Sequence, residues 1–341
     1  MEFLRWLLIE DVQRSRATFS AGGPYGAPAL LGALLFVGFY YVGRRRARNR
    51  KVNLRAFVRS IFTKRILLHP SSIVDYRLWT INAIVLAAAY GLLAVGNLAI
   101  RNLVIAALTR TFGAHPPLAW PIWLVMGMAT LFELLAYEFG YWGAHYVFHR
   151  VPWLWEFHKV HHSAEVMTTL TEMRQHPVEI IAFVNVITVT TGTVFGVMTY
   201  MFGPGVGHFT LFNGNIALMF FLLTWGHLRH SHIWIRFGGL AGRLFQSPAH
   251  HQIHHSTDPR HFDKNLGFAL AVWDWAFGTL YIPAKTREVT EYGVGEARGD
   301  FDTATRSFIR PFVRAGEHFA AAGRPAPTPG IVTLDAHRSG G

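Results

Sequence analysis

"HYVFHRVPWLWEFHKVHH", His145 to His162, sets five histidines in eighteen residues directly behind a long run of Leu, Trp, Phe and Tyr. His145 and His149 are spaced i, i+4, one helical turn apart on the same face. His158, His161 and His162 form His-x-x-His-His, and positions i, i+3 and i+4 of a helix project to one side, so the triplet can aim three imidazoles at a single point. His251, His254 and His255 repeat the pattern about ninety residues later, and "HLRHSH" adds His227, His230 and His232 at the end of another apolar run. A lone histidine is more often a satisfied core or surface residue than a ligand. Two identical triplets with an i, i+4 pair point instead to a metal site. They supply eight imidazoles and the third set one or two more, whereas a tetrahedral ion takes about four ligands; the inventory implies two ions. Imidazole suits zinc, copper, iron and nickel alike, so spacing leaves the metal open.

The surrounding chain explains the apolar company. Of 341 residues 51% are hydrophobic and 15% charged, against about 25% charged in soluble domains, which marks an integral membrane protein. A net charge of +12 could suit nucleic acid, but its densest run, "RRRARNRK" (Arg44 to Lys51), abuts an apolar stretch and reads as a membrane-flanking anchor. With no cysteine, disulfides, thiolate ligands and thiol nucleophiles are excluded. A span needs about 20 apolar residues. Tyr25–Gly43, Leu78–Ile100, Leu118–Tyr141 and Val178–Phe202 qualify, and Phe209–Trp225 is a shorter fifth. Asn265–Tyr281, interrupted by Asp274, reads as a buried or interfacial helix. Met1–Arg16 reads as an interfacial helix, and the Pro/Gly/Ala-rich tail from Gly323 as disordered.

Eleven Lys/Arg lie between Arg44 and Arg77, and two between Arg101 and Pro117. By the positive-inside rule the first of these segments is cytoplasmic, and counting spans onward puts every histidine cluster on that face. The expected fold is therefore an all-α membrane bundle of about four to five spans with a cytoplasmic helical cap holding a His-rich dimetal site. Its expected divisions are 1–77 (interfacial helix, first span, basic segment), 78–285 (catalytic domain) and 286–341 (tail, partly disordered).

The ordered motifs, with "FHRVPWLWEFHKVHHS", "RQHPVE", "SPAHHQIHHS" and "WDWAFGTLYIP", resemble the fatty acid hydroxylase/sterol desaturase superfamily of membrane di-iron enzymes over roughly Phe132 to Pro283. The resemblance implies two iron ions, dioxygen as cosubstrate, and oxidation of a lipid C–H bond to an alcohol or, alternatively, an alkene. It assigns the ligands to His145, His149, His158, His161, His162, His251, His254 and His255, with His230 as the lone histidine before the last motif. Glu138 stands where many members have Asp, and His232 where an Asn is often found, so either His227 or His232 completes the set. His176, Glu179 and Asp274 are candidates to orient ligand rings, with Glu172 an alternative; His250 neighbours the ligands. The chain carries no Rossmann fingerprint and no haem-attachment cysteine, so electrons are expected from a separate reductase or ferredoxin-like donor, and the lipid along a groove between spans. A zinc hydrolase would want His-Glu-x-x-His, which is absent. A His-rich metal-binding or transport protein is the other alternative, and a transporter would place its ionisable residues near the midplane.

Overall fold

The structure, a computed structural model, describes residues 26–93 and 96–322. The interfacial helix expected over 1–16 and the tail from 323 lie outside them.

Helix α1, Ala27–Arg46, begins with proline in its first turn and ends on Arg44, Arg45 and Arg46, cations placed where the helix dipole favours them. Two short helices follow, α2 (Leu54–Ile61), capped by the Asn53 side chain accepting from the Ala56 N–H, and α3 (Lys64–Leu67). Next come α4 (Pro70–Leu93), α5 (Asn97–Phe112), α6 (Ile122–Arg150), α7 (Pro152–His162) and α8 (Pro177–Phe202). A two-stranded hairpin, β1 (Thr210–Leu211) against β2 (Gly214–Asn215), leads into α9 (Ile216–Leu222). The chain then forms α10 (Gly239–Leu244), α11 (Pro248–His254), α12 (Val272–Ala276) and α13 (Ala304–Ala322).

Among the described residues α1, α6 and α8 are long and apolar enough to cross a membrane, matching the first, third and fourth expected spans. The second, Leu78–Ile100, straddles two helices. Helix α5 runs beside α8 in the same direction: Ile100 lies against Gly192 and Val104 against Gly196. The Tyr200 hydroxyl donates to the Gly113 carbonyl at 2.8 Å at the far end, and Asn82 of α4 donates to the Gln175 carbonyl at 2.8 Å just before α8 begins. Together α4 and α5 therefore follow α8 along its length.

Phe209–Trp225 is not a spanning helix, and this corrects the fifth expectation. Phe212 and Asn213 sit at φ 50° and 63°, making a two-residue reversal between strands. Thr130 of α6 supplies the hairpin's polar partners, its hydroxyl accepting from Phe209 N and its carbonyl from the Asn215 amide, both at 2.9 Å. Average hydropathy counts apolar side chains and does not register such a turn. Asn265–Tyr281 is likewise mostly irregular, its only helix being the five residues of α12. Beyond residue 286 the chain adds α13, which packs on α7: the Phe157 and Phe312 rings lie 5.1 Å apart, and His318 bonds Glu156 at 3.0 Å.

Helix α6 has 29 residues, a length of about 43 Å against a hydrocarbon core of about 30 Å. A helix of that length can cross the apolar layer and still carry His145 and His149 past its end. Glycine at 192 and 196 lets α5 close on α8; a Cβ at 196 would stand 2.6 Å from that of Val104 and 3.0 Å from the Arg101 carbonyl. Gly196→Leu should therefore lower the thermal midpoint of the detergent-solubilised protein, at about 1–3 kcal/mol for overpacking. Gly143→Ala, with nothing within 4 Å of its Cβ, should not lower it and should raise it slightly through helix propensity, by up to about 1 kcal/mol.

Candidate metal centre

Four segments converge at the cytoplasm-proposed ends of α6 and α8. His145 and His149 ride the last turns of α6. Val151 ends that helix and Pro152 starts α7, which brings His158, His161 and His162 back over them. His230 follows a single 3₁₀ turn at Gly226–Leu228. His251 and His254 lie in α11, which opens on a reciprocal cap between Ser247 and His250 and ends at His255. His250 bonds Ser247 and the Gly242 carbonyl and so builds the helix that carries the ligands, as a neighbour of the site.

The rings form two groups: His145, His149, His158, His162 and His254 in the first, His161, His230, His251 and His255 in the second, with the ligand atoms of each within 4.8 Å of one another. Neither triplet aims at one point, which corrects the spacing argument. Each gives its i, i+4 pair to one group and its i+3 member to the other: His158 and His162 part from His161, and His251 and His255 from His254. At about 100° per residue, i and i+4 differ by roughly 40° around the axis while i+3 and i+4 differ by roughly 100°. The pair therefore stays together and its neighbour faces elsewhere.

Within the groups ring nitrogens face one another closely. Nε2 of His158 lies 2.9 Å from that of His145 and 3.1 Å from that of His162. In the second group His230 Nε2 lies 3.1 Å from His161 and 2.7 Å from His251, and His255 Nε2 lies 3.1 Å from His251. The opposite nitrogens settle the tautomers where they donate. Nδ1 of His145 donates to the Leu266 carbonyl at 2.7 Å, His158 to Glu179 at 2.9 Å, His254 to the Lys264 carbonyl at 2.9 Å, and His161 to the Arg174 carbonyl at 3.3 Å. His149 Nδ1 pairs with Asp263 at 3.2 Å. The inward Nε2 atoms of these five are then lone pairs, and in His145 and His158 two of them face each other at 2.9 Å. Buried lone pairs so placed repel unless a cation lies between them. A metal–imidazole bond of about 2.1 Å sets adjacent ligand nitrogens about 3.0 Å apart at right angles and about 3.4 Å apart in a tetrahedron. The observed 2.7–3.1 Å fits the former, as does the absence of any hydrogen-bond partner for the buried Nε2 of His149 and His254. The donor set fits two metal ions.

Burial, and secondarily the neighbouring rings, holds His158, His162, His230, His251 and His255 well below the usual imidazole range, with His161 pushed down to about 3 and His254 to about 4. Neutral rings are what ligation requires.

The remaining candidates divide. Glu179 bonds the His158 ring. Asp274 does not; it accepts from the Leu266 and Gly267 N–H groups at 2.8 Å, and so holds the loop whose carbonyl receives His145. His176 caps α8 by accepting from Val178 N and bonds the Phe308 carbonyl, away from the rings. Glu172 pairs with Arg229 at 2.7 Å. Glu138 accepts from the Ala269 and Leu270 N–H groups at 3.0 Å. Neither His227 nor His232 joins a group: His227 is buried, and His232 donates to the Ser60 carbonyl at 2.6 Å. Sequence reasoning missed Asp263 and Arg174. Arg174 is fully buried, bonded to Asp75 at 2.9 Å and to the Val160 and Phe301 carbonyls, which fixes the carbonyl that receives His161. The signal available was Asp75 itself, a carboxylate next to an apolar run and expensive to bury unpaired.

A cavity of 460 Å³ reaches the first group, lined by His149, His162 and His254 with Trp155, Phe262 and Asp263; no ring of the second group lines it. An apolar groove of 590 Å³ does lie between α6 and α8, bounded by Phe132, Phe139, Val197 and Trp273, but no histidine borders it. The expected groove between spans is thus present and stops short of the rings.

Residues 130–279 match the fatty acid hydroxylase family. The chain is similar to the alkylglycerol monooxygenase of Danio rerio, 25% identical over 191 residues (56% of this chain, 36% of that one), and to that of Homo sapiens, 28% identical over 146 residues (43% and 29%). It is also similar to the ornithine lipid hydroxylase OlsE of Rhizobium tropici, 27% identical over 198 residues (58% and 54%). The match spans about a third of the alkylglycerol monooxygenases and about half of the ornithine lipid hydroxylase. No solved structure matches the chain.

Because these histidines bind protons more weakly folded than unfolded, the metal-free protein should keep full stability above about pH 6.5, the unfolded imidazole value. It should lose stability as pH falls, down to the folded values of about 4 for His254 and about 3 for His161. Each group contributes about 1.4 kcal/mol per pH unit in that window. Thermal melts after chelation, compared between pH 7.5 and 5.5 (roughly one unit either side of that value), should show a steep fall; a flat profile would contradict the neutral, buried assignment.

Proposed function

We propose, from the premise that residues 130–279 of this chain belong to the fatty acid hydroxylase superfamily, that it is a membrane oxidoreductase hydroxylating a C–H bond of a lipid. The observation that carries the reading is the pair of all-histidine groups, the first with four inward lone pairs, set at the end of α6 beside a cavity. Two iron ions held there would supply the activation of dioxygen and the removal of hydrogen from an unactivated carbon. The first would be held by His145, His149, His158, His162 and His254, the second by His161, His230, His251 and His255.

The chain's own residues do the rest. Glu179, Asp263 and the Leu266, Lys264 and Arg174 carbonyls hold the outer N–H of five rings, fixing tautomer and orientation. Trp155 and Phe262 give the cavity apolar walls and exclude water, while Asp263, Lys159, Ser256 and Thr257 offer hydrogen bonds to a lipid's polar end. Since only the first group borders this space, the oxidised carbon approaches on that side. Electrons come from a separate reductase or ferredoxin-like donor. The basic segment between Arg44 and Arg77 supports a cytoplasmic orientation, for which a reporter fused to the C-terminus should read cytoplasm.

Elemental analysis of the purified protein should give two irons per chain. His161→Ala and His254→Ala, one in each group, should each lower iron content and turnover while membrane insertion persists; His232→Ala should retain both irons. Lipids of cells with and without the gene should differ by the mass of one oxygen. A loss of two hydrogens would instead assign desaturation, and one metal per chain with full turnover would overturn the two-ion reading.

A further inference from the structure

We propose that the junction of α1 and α2 is a binding site for the phosphate headgroup of an anionic phospholipid. From Gly26 to Val74 the sequence contains no Asp or Glu, yet carries Arg44, Arg45, Arg46, Arg48, Arg50 and Lys51 in one run. The fold gathers this charge instead of spreading it. Asn49, at φ 52°, turns the chain back at the end of α1, and the Arg50 N–H bonds the Arg45 carbonyl at 2.8 Å. The result is a cavity of 350 Å³ with Arg44, Arg45, Arg48 and Arg50 around it.

Arg44 donates to the Tyr40 hydroxyl at 2.8 Å and Arg45 to the Lys51 carbonyl, so both are held in place. Among the described residues the guanidinium groups of Arg48 and Arg50 have no hydrogen-bond or carboxylate partner, and none of the four arginines forms an ion pair. Asp75, the first acid of the region, is bound to Arg174. The cavity is therefore a set of oriented cationic donors without an anion.

Its position argues for a lipid over free phosphate. The floor is apolar, formed by Val37, Phe57, Ile61 and Ile233, and α1 continues below it as a membrane-crossing helix. Phe57 and Ile61 turn one face of α2 inward. Leu54, Val58 and, at its C-cap, Phe62 continue that apolar stripe and are 70%, 45% and 56% exposed, with Arg55 and Arg59 on the opposite side, an amphipathic arrangement suited to headgroup depth. A diacyl phospholipid anion meets both demands, phosphate on the arginines and the start of its chains on the floor.

The site also touches the metal region. His232, on the cavity wall, donates to the Ser60 carbonyl of α2, and Tyr40 donates to the Trp234 carbonyl at 3.2 Å. Gln252, between His251 and His254, donates to the Ser231 and Ile233 carbonyls. A headgroup that ties α1 to α2 thus braces the loop that follows His230.

The full chain in detergent, titrated with phosphatidylglycerol or phosphatidylcholine and read by native mass spectrometry, tests this. Wild type should retain phosphatidylglycerol at least about 25-fold better than phosphatidylcholine. At roughly a factor of five per arginine, R48Q/R50Q should weaken phosphatidylglycerol binding about 25-fold, and R48K/R50K should recover most of it. The wild-type and R48Q/R50Q proteins should melt alike in phosphatidylcholine micelles, which separates lost binding from lost folding. Equal retention of the two lipids by wild type, or unchanged binding in R48Q/R50Q, would overturn the proposal. So would displacement of phosphatidylglycerol by inorganic phosphate at equal concentration, which would make the pocket a site for free phosphate.

Discussion

Lone pairs of neutral imidazoles facing each other across about 3 Å of protein interior are the constraint on which this structure depends. Such an arrangement is repulsive in any environment that does not place positive charge among the nitrogens, and among the described residues no Asp or Glu joins either group. The fold answers by orienting the outer edges of the rings. Backbone carbonyls at 174, 264 and 266 and the carboxylates of Glu179 and Asp263 receive the outer N–H bonds. Those acceptors are themselves fixed by Arg174 on Asp75 and by Asp274 on the 266–267 backbone. Much of the buried polar chemistry outside the groups has this one purpose.

The membrane reading and the metal reading meet in the length of α6. A span that merely crossed the bilayer would end near Tyr141; the extra turns carry His145 and His149 to where polar loops fold over them. Helix α7 then returns across the site, and α13, which the amino-acid pattern did not mark as helical, closes its outer face through Phe312, Ala315 and Phe319. The apolar groove between α6 and α8 remains on the membrane side, and the mixed-polarity cavity opens at the rings. A lipid substrate, under the proposed function, would meet two surfaces of different character.

How much of this was legible in the sequence follows from the range of each interaction. The nine grouped histidines were visible because the triplets and the i, i+4 pair are local patterns, and His230 followed from the order of motifs. Their division between two groups was not, since it depends on how α7 and α11 cross. Three of the long helices could be read from hydropathy. Phe209–Trp225 could not, because a hairpin bonded to Thr130 has the same average composition as a helix. Asp274 was expected to bond a histidine ring and bonds the backbone behind His145 instead; in sequence the two kinds of carboxylate look alike. Arg174 and Asp75 lie nearly a hundred residues apart in the chain, so although Asp75 stands out beside an apolar run, nothing local names its partner.

The sharing of each triplet between both groups has a consequence for biosynthesis. A nascent chain that has emerged through α9 and the following turn already carries His145, His149, His158 and His162, four of the five rings of the first group. Of the second it has only His161 and His230. If the groups hold metal as proposed, the first could capture an ion while the ribosome is still translating, whereas the second would stay half-built until α11 arrives with His251 and His255. That helix delivers the last rings of both together. Loading under the proposed function would then have a built-in order, and a ribosome pausing between His230 and His251 would leave a chain able to hold one ion but not two.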